Sequence, residues 1–301
     1  MIFLSSSCGV DTGNAPSFAN SRGVLWSSAN LSETGNWRGL TYGNGRFVAV
    51  SYAGSKSQVS TNGLNWSTGN MPSSANWRSV AYGNGVFVAV AFGSTSAATS
   101  TDGISWTART LPSSSNWVSI AYGNGTFVAI AYNSNVAATS PDGITWTART
   151  LASSSNWASV TFGNGTFVTI CDGGSTVGGT SPDGITWTAR TTSSPGSWAQ
   201  VTYGNGKFVM VSWTSNRVAY SADGITWTSV TTSITSFLGV AFGNGVFVAP
   251  SYGSNQALVS SDGISWTTRI LSDNKNWTSI AFGGGIFASL DESSSATFSI
   301  Y

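Results

Sequence analysis

An aromatic-Gly-Asn-Gly-x-Phe-Val segment recurs along this chain with its first glycine at Gly43, Gly83, Gly123, Gly163, Gly204, Gly243 and Gly283, the last copy reading Gly-Gly-Gly-Ile-Phe-Ala. Successive copies lie 39 to 41 residues apart. A period of about 40 residues belongs to propeller blades rather than to leucine-rich or helical solenoids. A second element, Ser-x-Asp-Gly-Ile-Ser/Thr-Trp, ends at Trp106, Trp146, Trp187, Trp227 and Trp266, and as Ser-Thr-Asn-Gly-Leu-Asn-Trp at Trp66. A degenerate copy, Ser21-Arg22-Gly23-Val24-Leu25-Trp26, opens the chain's repeat region.

Within one copy, β-rich runs at 116–121 and 127–132 flank Gly123-Asn124-Gly125, and further runs at 137–140 and 144–149 flank Asp142-Gly143. Asn-Gly and Asp-Gly are two-residue hairpin signals, because both central positions of such a turn favour positive φ. Four short strands per copy follow, and helical periodicity is absent. The last copy supplies only three, at 276–281, 286–290 and 296–301, so the N-terminal run 23–28 is expected to add the fourth and leave no open sheet edge. The sequence therefore predicts an all-β, seven-bladed β-propeller of four antiparallel strands per blade, spanning 19–301 as one domain. Its ring is closed by the N-terminal strand joining the C-terminal blade, and residues 1–18 form an arm outside the repeat.

Composition fits a packed core: 41% hydrophobic and 13% aromatic residues, including 14 Trp. Two tryptophan sets account for nearly all of the latter. One closes the Asp-Gly element; the other, Trp37, Trp77, Trp117, Trp157, Trp198 and Trp277, with Phe237 in the remaining copy, opens the innermost strand. Both read as packing residues, and only Trp213 falls outside them. Asn62, Asp102, Asp142, Asp183, Asp223 and Asp262 read as turn residues whose side chains accept backbone N–H bonds.

Charge is sparse, with 12 basic and 11 acidic residues and a formal net charge of +1, which argues against nucleic acid as a partner. No apolar run approaches the roughly 20 residues that span a bilayer, and no signal-peptide core is read at the start, so membrane insertion is not expected. Cys8 and Cys171 have no zinc or redox spacing and read as free thiols. With no histidine in the chain, neither a metal site nor a cofactor is expected.

The element Ser-Pro-Asp-Gly-Ile-Thr-Trp resembles the Asp-box, the bacterial neuraminidase repeat found in sialidases and in many non-enzymatic propellers. Here aspartate and glycine are adjacent, whereas the usual box places a residue between them. The resemblance implies the fold and the turn-stabilising aspartates, not an activity. Sialidases of this kind use six blades, an arginine triad, and a tyrosine with a glutamate. Here Arg109, Arg149, Arg190 and Arg269 recur three residues after the box tryptophan, on the outer strand, and the two glutamates are Glu33 and Glu292.

Comparing copies separates near-invariant hairpin turns from variable loops, which in propellers open on opposite faces; specificity sits on variable loops held by a rigid frame. At the variable rim, the end of each second strand places Tyr52, Phe92, Tyr132, Asp172, Trp213, Tyr252 and Glu292. Five of the seven are aromatic, so they are candidate ligand-binding residues, with rings on which sugars stack and Asp172 and Glu292 as hydroxyl acceptors. The competing reading is that these rings cap the space between blades.

No catalytic residue is assigned, and the chain is expected not to be an enzyme. A Gly-, Ser-, Thr- and Asn-rich, charge-poor sequence with such repeats resembles bacteriophage appendage proteins. The expectation is a structural or recognition propeller of a virion, as tail, fibre or capsid-decorating protein, presenting a face to host glycans or to other virion proteins, with oligomerisation possible through the N-terminal arm. The alternatives are a soluble or surface carbohydrate-binding lectin, extracellular or at the cell surface, and a sialidase-like glycosidase using Asp172, Glu292 or Glu33.

Overall fold

The computed structural model describes residues 25–300, and there every regular element is a strand and every strand pairing is antiparallel. Within a copy the pattern follows the sequence. The third copy forms Trp117–Gly123 as the end of a longer strand, then Thr126–Ala131, Ser134–Ser140 and Thr147–Ser155, each pairing with the next. The proposed arm at 1–18 lies outside the described residues.

Seven separate four-stranded blades is an expectation the structure corrects. The strands form six sheets: five have four strands, and one has six. The six-stranded sheet runs Trp77–Gly83, Val86–Ser100, Thr107–Gly123, Thr126–Ala131, Ser134–Ser140, Thr147–Ser155, and takes in both the second and the third repeat copy. Other copies break their strands near Ala53 or Asn133, which adopt positive φ, as Gly93 does at the same position of the second copy. Here the pairing of Phe92 with Asn116 and Ser94 with Ser115 carries hydrogen bonding on through the same region, and the irregularity is absorbed as register shifts. Two copies are thereby joined edge to edge, a continuity no sequence period reveals.

The innermost strands follow one another around an axis. Asn36–Gly43 packs beside Trp77–Gly83, followed by the end of Thr107–Gly123, then Trp157–Gly163, Trp198–Gly204, Ala241–Gly243 and Trp277–Gly283, which returns to the first. The ring is closed as the sequence predicts. Leu25–Asn30 pairs with Ser295–Ile300, from Leu25↔Ile300 to Asn30↔Ser295, at the edge of the last sheet. Side-chain bonds also link inner strands directly: Ser119 Oγ accepts from the Val160 amide, Gln200 Oε1 accepts from the Val240 amide, and Thr278 donates to the Trp37 carbonyl across the closure.

The two turn types differ. Asn124 (φ 47°) and Gly125 (φ 74°) both lie in the left-handed region, as a tight hairpin requires. At Asp142-Gly143 only the glycine does, so this is not the two-residue hairpin expected. Asp142 Oδ1 instead accepts the amides of Ile144 (2.8 Å) and Thr145 (3.0 Å), and Ser140 Oγ accepts that of Gly143 (2.8 Å). Such a side-chain-capped loop consumes residues through the tryptophan, which is why the outer strand begins at Thr147 rather than 144.

The core lies between adjacent sheets. Trp37, Trp77, Trp117, Trp157, Trp198 and Trp277 are essentially fully buried, as is Phe237. Trp157, for example, packs with Val128, Ile130 and Ala137 of the preceding copy. The box tryptophans are less covered: Trp66, Trp106 and Trp227 are buried, while Trp146, Trp187 and Trp266 are half-buried.

Candidate functional site

The inner strands splay around a cavity of about 570 Å³ at the axis. That volume lies within the roughly 300–1,000 Å³ typical of small-ligand sites. Its walls come from the residues after each inner-strand aromatic and its mouth from the second-strand ends. The rim candidates Tyr132, Asp172, Trp213, Tyr252 and Glu292 all line it, whereas Tyr52 and Phe92 do not. Those two stay on the rim with their rings 6.4 Å apart.

Backbone bonds fix the rim. The amides of Phe92, Tyr132, Asp172, Trp213 and Tyr252 donate to the carbonyls of Asn76, Asn116, Asn156, Ser197 and Ser236, one residue before each inner-strand aromatic. Each rim side chain is thus anchored at the entrance to its own inner strand.

Two carboxylates sit in the cavity with different partners. Glu292 Oε1 accepts from Arg38 Nη2 at 2.6 Å, and its Oε2 accepts from the Tyr252 hydroxyl at 3.0 Å. Arg38 also donates from Nε to Asn36 Oδ1 at 2.6 Å. Burial, then the hydrogen bond to Glu292, raises the Tyr252 phenol pKa. Asp172 accepts from Trp213 Nε1 at 3.1 Å and from the Gly173 amide, both at Oδ1, so Oδ2 accepts no hydrogen bond among the described residues. Trp213 keeps 46% of its surface exposed.

Arg38 and Arg78 are cavity residues that the sequence reading missed. They occupy the position after the inner-strand aromatic, where the other copies carry Val118, Ala158, Ala199, Leu238 and Thr278, and all of these line the cavity. The available signal was this variation at one position of an otherwise regular strand. Arg78 is half-buried; burial, with the neighbouring charge of Arg38, brings its pKa down to about 10, so it remains cationic at neutral pH. The recurrent arginines lie elsewhere: Nε of Arg109, Arg149 and Arg190 donates to Thr99, Thr139 and Thr180 Oγ1 within the outer strand pairs.

The six turn residues, Asn62, Asp102, Asp142, Asp183, Asp223 and Asp262, each accept two backbone amides through one side-chain oxygen and line no part of the cavity. Cys171 is a buried free thiol whose pKa burial raises to about 12; Cys8 lies outside the described residues. Among the described residues no group of three or more His, Cys, Asp or Glu side chains is placed to hold a metal ion.

Antiparallel sheets ringed about an axial cavity make this chain a β-propeller. Residues 140–279 match the model of the DUF6242 β-propeller domain. No curated protein matches the sequence. Among solved structures, virginiamycin B lyase from Staphylococcus aureus is similar with a TM-score of 0.82 at 13% identity, over 92% of this chain and 99% of that one. YCF48 bound to D1 peptide is similar at 0.73 and 16%, over 92% and 95%, and YCF48 from Cyanidioschyzon merolae at 0.69 and 15%, over 91% and 98%. At such identities the likeness is one of fold.

Proposed function

We propose that this propeller is a non-enzymatic recognition module that holds a glycan in its axial cavity. The observation carrying this reading is Trp213: a large, exposed indole at the cavity mouth, oriented by its bond to Asp172, beside a carboxylate oxygen open to a sugar hydroxyl. An apolar ring face with an adjacent acceptor suits the CH-rich face and hydroxyl edge of a pyranose.

One observation weighs against hydrolysis by a carboxyl pair. Hydrolysis by two carboxylates needs a pair poised as acid and as base or nucleophile, but Glu292 is tied to Arg38 and Tyr252. The Tyr252 bond also pairs a tyrosine with a glutamate, as in sialidases, so the test includes an assay for cleavage products. A setting on a bacteriophage virion, in a tail, fibre or decorating protein, is supported by the repeat resemblance and the Ser-, Thr- and Asn-rich, charge-poor composition alone; a cell-surface lectin would use the same cavity.

A second reading, peptide recognition, is favoured by the likeness to YCF48 with its bound D1 peptide. A glycan-array screen of the purified chain, with Trp213→Ala beside it, tests the proposal. Glycan binding that the substitution weakens several-fold to about tenfold, with no cleavage products, is expected. Absence of glycan binding removes the proposal and leaves peptide recognition to be tested.

A further inference from the structure

We propose that the sugar taken by the cavity is an acidic one, its carboxylate held by Arg78. This rests on the reading of the cavity as a glycan site. Arg38 and Arg78 stand at the same position of neighbouring inner strands, each following the buried tryptophan. For Arg38, the rim residue of the preceding copy is Glu292, and the two form the one ion pair among the described residues. For Arg78, the rim residue of the preceding copy is Tyr52, a phenol where its neighbour has a carboxylate. Tyr52 is close enough to act on Arg78 electrostatically, but no hydrogen bond or ion pair among the described residues reaches the Arg78 guanidinium.

A half-buried cation without a counter-charge is costly to desolvate. Arg38 adds to that cost, because its charge repels that of Arg78. An anionic ligand group entering the cavity relieves both terms. The planar guanidinium fork pairs best with a two-oxygen anion, which makes a carboxylate the fitting group. Neither protein carboxylate fills that role: Glu292 is bound by Arg38 and Tyr252, and Asp172 by Trp213 and the Gly173 amide. With Arg78 holding the carboxylate, Trp213 and Asp172 are left for the ring and its hydroxyls. That division favours a uronic acid over a peptide carboxylate.

Calorimetric titration of the full chain decides this, using tetrasaccharides of polygalacturonate, alginate, hyaluronan and heparosan, each beside its carboxyl-reduced, neutral counterpart. At least one acid is expected to bind about tenfold or more tighter than its reduced partner, the size of one charge-assisted hydrogen-bonded contact. In Arg78→Gln that preference collapses, while Arg78→Lys, which keeps the charge but not the fork, retains part of it; should Arg78→Gln fail to fold, Arg78→Met carries the same test. Equal affinity for acid and reduced forms overturns the acidic assignment but leaves the glycan reading standing. A preference untouched by loss of the Arg78 charge overturns it too. Failure of every saccharide to bind, including the glycan-array hits, overturns both readings, and Arg78-dependent capture of a peptide carboxyl terminus in place of any uronate would identify the other ligand class.

Discussion

Trp213 donates its indole N–H to Asp172 Oδ1 across 3.1 Å, joining the rims of two adjacent repeat copies at the cavity mouth. Because the indole is 46% exposed, it contributes little to the core. Trp213→Ala is therefore expected to leave the unfolding midpoint nearly unchanged while weakening glycan binding several-fold to about tenfold, the scale of one lost aromatic contact of about 0.5–1.5 kcal/mol. Trp213→Phe keeps a stacking face and loses only the bond to Asp172, so its affinity falls between the two. Titration of both variants with one array-positive glycan measures this.

Gly83 sits beneath the ring of Tyr122 in the next copy, where an added Cβ would lie 2.0 Å from Tyr122 Cγ. The same approach recurs around the ring, from Gly43 on Tyr82 to Gly283 on Tyr42, which explains why an aromatic-glycine pair is repeated in every copy. Gly83→Ala must push the inner strands Trp77–Gly83 and Thr107–Gly123 apart. A loss of about 1–3 kcal/mol is expected from overpacking, and urea unfolding with an unchanged midpoint would dismiss this packing role.

Trp157 is fully buried between sheets, whereas Trp146 is only half-buried and holds its own turn by donating to the Gly143 carbonyl at 3.1 Å. Truncating the first should cost about 3–5 kcal/mol. The second should cost less, since less apolar surface leaves water there. Equal denaturation midpoints for Trp157→Ala and Trp146→Ala would contradict this ordering.

Much of this was legible in the sequence, because the repeat exposes what every copy must do. The inner-strand tryptophans, the turn aspartates and the N-terminal strand paired to Ser295–Ile300 follow from period and turn chemistry. The merging of two copies through Val86–Ser100 and Thr107–Gly123 did not follow, since continuity depends on hydrogen bonding across Phe92 and Asn116 rather than on residue type. The rim residues were found because they vary at a fixed position. Arg38 and Arg78 vary in the same way, but they follow a buried tryptophan and were hidden inside a strand read as core.

The turn aspartates tie stability to pH. Backbone bonds from Thr145 and Ile144 hold the Asp142 carboxyl below its usual range, and those from Thr186 and Ile185 do so for Asp183. At Asp102 and Asp262 burial pushes the other way, and the backbone bonds prevail. A carboxyl that titrates lower in the folded chain stabilises it fully above the unfolded value near ~3.9, and that contribution is lost as pH falls through the folded value. The urea midpoint should change little from these groups between pH 7 and about 5, then fall below about pH 4. In Asp142→Asn/Asp183→Asn the fall should be shallower, as Asn62 already accepts the same two amides without titrating. An acid limb of unchanged steepness in that double variant would contradict the assignment.

The central claim is that the ligand occupies the axial cavity, and soaking crystals of the chain with an array-positive oligosaccharide tests it most directly. The account predicts density for a sugar ring against Trp213, a hydroxyl on Asp172 and the ligand's charged group on Arg78. Density confined to the outer strands, with the cavity unchanged at saturating ligand, would contradict it.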